Sequence, residues 1–164
     1  ITASGNLLVD GNISGSKTTN LYIGRRYYST PSSATYPNNF NGDFVNFGLG
    51  PSGNNINFLQ GRIYMYRSTG YWELADASTA ATGNGLLAIN TTVGKGMLMT
   101  KGISLESNWN SLTVGAPLFL SETAGDLTTT RPTTTNAIVR VVGYCIDATN
   151  RIIYFNPDST YVTV

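Results

Sequence analysis

Residues 113–155 constrain the fold more than any other stretch. Three apolar runs lie there, each closed by turn residues. Leu118-Phe119-Leu120 runs into Ala124-Gly125-Asp126, Ile138 to Ile146 runs into Asp147-Ala148-Thr149-Asn150, and Ile152 to Phe155 runs into Asn156-Pro157-Asp158. Val, Ile, Tyr and Phe fill the runs, and Gly, Asn, Asp and Pro fill the gaps. β-Branched and aromatic residues suit a pleated, half-buried surface, so this pattern predicts a β-meander.

The rest of the chain reads the same way. Arg62 to Arg67 and Tyr71 to Leu74 form an expected hairpin about Ser68-Thr69-Gly70. Strands are expected over 21–28, 43–49, 86–89 and 97–105. The small, polar stretch 75–85 reads as a connector with room for a short helical turn. Residues 29–42 hold Pro31 and Pro37 and read as a long loop. Trp109 is expected at a turn. No apolar stripe of helical period exceeds two turns. The fold class is therefore all-β, with short antiparallel strands in a sandwich or barrel-like module and roughly 8 to 11 strands in all.

Three regions are expected. Residues 1–16 alternate short apolar pieces with Gly-Asn and Asp-Gly turns. Leu7, Val9 and Ile13 have no partners within that stretch. Such a segment resembles an extended β-stalk whose apolar side chains need strands from other copies of the chain. Residues 17–56 are an aromatic-rich β and loop region, and residues 57–164 are the C-terminal module. The chain opens on Ile1 rather than Met, so an upstream segment is expected.

Charge narrows the function classes. Only 12% of residues are charged and the net charge is +1, without the basic footprint of a nucleic-acid binder. Arg25-Arg26 is the sole adjacent basic pair. No run reaches the roughly 18 apolar residues of a spanning helix. His is absent, which removes the commonest general base and zinc ligand. The single Cys145 sits in an apolar run and reads as a buried thiol. Residues 48–53 spell G-x-G-x-x-G, but a strand-like pattern follows where a nucleotide fingerprint opens a helix, so three glycines and Pro51 read as a turn.

Glycosidic cleavage needs two acids about 5 to 10 Å apart. Asp126, Asp147 and Asp158 fall at turn positions, which leaves Glu73 and Asp76 as the nearest approach to a dyad. No calcium loop or Cys pair is present, although turn carbonyls leave a calcium site open. No catalytic residue, metal ligand or cofactor is expected. The Asn12 and Asn90 sequons matter only along a eukaryotic secretory route.

Several motifs fall in a telling order. They are Gly-Arg-Ile-Tyr-Met-Tyr-Arg-Ser-Thr-Gly-Tyr-Trp from Gly61, Gly-Leu-Leu-Ala-Ile from Gly85, and Gly-Met-Leu-Met-Thr-Lys-Gly from Gly96. Further along come Val-Gly-Ala-Pro-Leu-Phe-Leu-Ser-Glu-Thr-Ala-Gly-Asp-Leu-Thr from Val114, Arg131-Pro132, Ile-Val-Arg-Val-Val-Gly-Tyr from Ile138, and Ile-Ile-Tyr-Phe-Asn-Pro-Asp-Ser-Thr-Tyr-Val from Ile152. Together residues 61–164 resemble the C-terminal domain of tailed-bacteriophage virion fibre proteins, of the tail-fibre or head-fibre type. That resemblance implies a non-enzymatic structural module on the phage particle surface. It also implies a homotrimer, joined to other virion proteins on its N-terminal side and attached to host glycan or protein. The alternatives are a capsid decoration or head-fibre protein on the phage shell, and a bacterial carbohydrate-binding module. If stacked rings carry attachment, Tyr27, Tyr28, Tyr36, Phe40 and Trp109 are the candidates, with Leu7, Val9 and Ile13 in the trimer core. Neither nucleic acid nor membrane insertion is expected.

Overall fold

The computed structural model describes residues 28, 30, 40–53, 57–94, 96–105, 109 and 111–164. The strands among them are β1 (Phe40–Val45), β2 (Ile63–Tyr66), β3 (Trp72–Leu74), β4 (Leu87–Asn90), β5 (Leu98–Leu105), β6 (Pro117–Leu120), β7 (Leu127–Thr128), β8 (Ile138–Val139), β9 (Val141–Asp147), β10 (Ile152–Phe155) and β11 (Val162–Thr163). One short helix, α1 (Ala80–Gly83), lies in the connector where a helical turn was expected. The all-β expectation holds: nine strands form one antiparallel sheet curled into a half-barrel, and β8 and β11 form a separate ribbon.

The sheet runs β3-β2-β4-β5-β10-β9-β6-β7. The expected hairpin is β2–β3, and the expected meander is β6, β9 and β10 with β7 added outside β6. Strand β5 is the pivot. β1 pairs along one edge, while β4 takes Leu98 and Met99 and β10 takes Gly102 to Leu105 on the other. β1 begins at Phe40, so residues 40–42, expected in a loop, are strand. The strand expected over 43–49 stops at Val45. β1 thus joins the sheet of the C-terminal module.

Alternation along these strands sorts the side chains. Phe40, Ser104, Ile153 and Cys145 are register partners on one face, and all four are buried. The next inward row is Gly42, Gly102, Phe155, Gly143 and Leu118. Three glycines in one row let the backbones come close around Phe155. A Cβ on Gly42 would lie 2.1 Å from the Lys101 carbonyl oxygen, and one on Gly143 would lie 2.2 Å from that of Tyr154. Glycine inside strands marks such bends and close approaches.

The curl closes at one corner. Gly125, at φ 81°, turns the chain between β6 and β7. Its carbonyl accepts the Ile63 N–H at 2.8 Å, and its N–H donates to the Ala75 carbonyl at 2.7 Å. The Ala77 N–H donates to Ser121 at 2.7 Å, and Arg62 pairs with Asp126. The turn beyond β6 is thereby stitched to both ends of the β2–β3 hairpin.

Two cores result. The main one holds Phe40, Ile63, Met65, Leu87, Ile89, Met99, Trp109, Leu118, Leu120, Ile138, Val142, Ile153 and Phe155. A smaller one on the opposite face of β2 and β4 holds Phe58, Tyr64, Trp72, Ala88 and Leu98. β2 and β4 are therefore covered on both faces, which explains the unbroken apolar runs Ile63-Tyr64-Met65 and Leu87-Ala88-Ile89. Full burial of Trp72 removes an aromatic surface worth, as an upper estimate, about 4–6 kcal/mol.

Candidate functional site

The smaller core lies beneath an open cleft of about 240 Å³, lined by Asn46, Phe47, Gly48, Phe58, Gly96, Met97 and Leu98. Val45 pairs with Leu98 at the end of β1, and the chain then leaves the sheet at Asn46. The segment beyond Asn46 is tied back to the hairpin. The Trp72 indole N–H donates to the Phe47 carbonyl at 2.7 Å. The Leu49 N–H donates to Gly70 at 3.2 Å, and the Trp72 N–H donates to Leu49 at 2.7 Å. The Phe47 ring stands edge-on to Tyr66 with centroids 5.1 Å apart and lies tilted against Trp72 at 5.6 Å. Such aromatic pairs contribute about 0.5–1.5 kcal/mol each beyond area burial.

The opposite wall is held by a buried amide. Asn90 is 0% exposed. It donates to the carbonyls of Leu59 and Thr92 and accepts the Met97 N–H at 3.1 Å. The Met97 carbonyl takes the N–H and the hydroxyl of Thr91, both at 2.9 Å. Its backbone is fixed on both sides while its side chain stays 37% exposed. Phe47, which lines the cleft, is likewise 43% exposed. None of the lining residues titrates, so the cleft offers apolar surface, one exposed amide and backbone groups. It is smaller than the roughly 300 Å³ of ordinary small-molecule sites and suits a single ring. Burial of Asn90 also removes that sequon from any modifying enzyme.

The residues expected at the site separate. Phe40 and Trp109, expected as exposed stacking rings, are only 8% and 3% exposed and belong to the main core. Flanking Asn, Gly and Ser disguised them as loop aromatics. Tyr28 is half-buried, and its hydroxyl donates to Asp43 at 2.6 Å. Tyr27, Tyr36, Leu7, Val9 and Ile13 lie outside the described residues, as does the stalk. The cleft instead uses Asn46, Phe47, Phe58 and Met97. The available sign was an aromatic wedged between Asn46 and the Gly48-Leu49-Gly50 turn.

Among the described residues, the acids Glu73, Asp76, Asp147 and Asp158 are engaged locally. Glu73 pairs with Arg67 at 3.3 Å, while Asp76 accepts the Ser78 N–H and the Thr82 hydroxyl, each at 2.9 Å. The Asn150 N–H and amide hold the Asp147 carboxyl below the usual carboxylate range. The Thr160 N–H and hydroxyl do the same for Asp158. Among the described residues no three His, Cys, Asp or Glu side chains converge. Burial pushes the Cys145 thiol up, with the Asp147 charge adding to it. No family model, curated protein or solved structure matches this chain.

Proposed function

We propose that this chain is the distal, non-enzymatic module of a tailed-phage virion fibre, assembled as a homotrimer and attaching to the host surface. The adhesive part of this reading is carried by one observation: an uncharged aromatic cleft whose exposed rim stands on a firmly tied backbone. Rigid aromatic faces beside an adaptable amide give contact area at low entropic cost. The virion part is supported by the ordered motifs across residues 61–164 and their resemblance to fibre ends. Local pairing of the described acids supports binding over cleavage. Trimerisation is assigned to residues 1–16.

The test is binding of the purified chain to an array of bacterial lipopolysaccharide and capsule oligosaccharides. Asn46→Ala with Met97→Ala alters two exposed cleft residues and is expected to weaken binding at least tenfold with the melting temperature unchanged. Binding equal to that of the unaltered chain would overturn the cleft assignment.

A further inference from the structure

Arg140 lies between β8 and β9 and is 5% exposed. Its guanidinium is bound through two of its three nitrogens. Nε donates to the Asp158 carbonyl at 2.7 Å, and Nη1 donates to the carbonyls of Gly83 at 2.6 Å and Gly85 at 2.7 Å. A guanidinium carries five N–H groups, so the two on Nη2 remain. They have no protein partner among the described residues. Nη2 is not completely sealed, because the fully enclosed, unpartnered side-chain polar atom among the described residues is Ser104 Oγ.

Arg140 also lines a second cavity, of about 380 Å³, with Asn84, Leu86, Thr100, Pro157 and Ser159 among others. No carboxylate pairs with Arg140 among the described residues. Asp158, the acid that acts on its charge, turns its carboxylate to Thr160. A buried cation whose direct contacts are carbonyl dipoles can still donate a charge-assisted hydrogen bond from Nη2 to a carboxylate. Around it stand an amide and two hydroxyls, with Leu86 46% exposed as an apolar wall. The volume falls within the range of small-molecule sites.

We propose that this pocket binds an acidic sugar of the uronic acid class, its carboxylate on Nη2 of Arg140 and its hydroxyls on Asn84, Thr100 and Ser159. The sugar part of this inference rests on the adhesive reading above, whereas the anion part rests on Arg140 alone. The pocket is lined by residues other than those of the aromatic cleft, so the two are separable.

The experiment is an amide-resolved NMR titration of the full chain with glucuronate, glucose and inorganic phosphate. Glucuronate is expected to give saturable shifts at Gly85, Leu86 and Ser159, and glucose none. Arg140 itself is a poor variant because its three carbonyl bonds hold the fold. Ser159→Glu instead places a tethered carboxylate at the mouth and is expected to weaken glucuronate at least tenfold while leaving array binding through the cleft intact. Phosphate binding as tightly as glucuronate would overturn the sugar assignment. Absent shifts, or glucuronate binding unchanged in Ser159→Glu, would overturn the pocket. Loss of array binding in the Asn46 and Met97 variant with glucuronate binding retained is expected, and loss of both would overturn the separation of the two sites.

Discussion

Gly143→Ala tests the row of close backbone contacts through which the sheet curls. The new Cβ would meet the Tyr154 carbonyl oxygen at 2.2 Å and the Phe155 Cα at 3.2 Å. Both belong to the backbone of β10, so no side-chain rotation relieves the contact. β9 and β10 must separate by roughly an ångström. Overpacking of this kind costs about 1–3 kcal/mol, and each weakened ladder hydrogen bond about 0.5–1.5 kcal/mol more. Restricting the unfolded chain returns about 0.4–1 kcal/mol. The net loss is about 0.5–4 kcal/mol, which for this length lowers the melting temperature by about 1–16 °C. Gly115→Ala is the control. Nothing lies within 4 Å of its Cβ, but its φ is +77°. It should cost about 1–2 kcal/mol from backbone strain alone. Urea unfolding followed by tryptophan fluorescence reads both, since Trp72 and Trp109 are buried. A Gly143→Ala loss under about 0.5 kcal/mol, within the range of ordinary surface substitutions, would refute the close-approach argument.

Acid should weaken the fold through Asp147 and Asp158. Their folded-state pKa values are depressed, so their stabilisation is complete above the ordinary carboxylate value of about 3.9 and is lost as pH falls through the lower folded values. Asp158→Asn should therefore lose less of its urea midpoint than the unaltered chain between about pH 6 and about pH 3, and equal losses would contradict this. Cys145 should resist a thiol reagent in the native protein and react orders of magnitude faster in denaturant. Equal rates would show that the thiol is not enclosed.

The hairpin over 62–74 and the meander over 117–155 were legible because local turn chemistry and strand composition agree there. β1 was not, because Asn41-Gly42 looks like a loop. It is the approach of the Lys101 and Gly102 backbone that makes a glycine necessary at position 42. β7, β8 and β11 have two residues each, and their pairing partners decide them rather than their own sequence. Register also explains the displaced site. Phe40 faces inward because it pairs with Ser104, and Phe47 faces out because the chain has already left the sheet. Neither fact can be taken from an Asn- and Gly-rich stretch of aromatics. Arg140 did leave a sign, as the single charge within the apolar run Ile138 to Ile146, yet strand composition concealed that it interrupts two strands.

The measurement closest to the central claim is the location of the protein on a particle. An antibody raised against residues 1–164, carrying gold, would be applied to particles released by cells that bear the gene and viewed by electron microscopy. Gold at fibre tips is the predicted result. Gold spread over the shell would contradict the fibre reading in favour of a capsid decoration protein, and particles without label would contradict a virion role altogether.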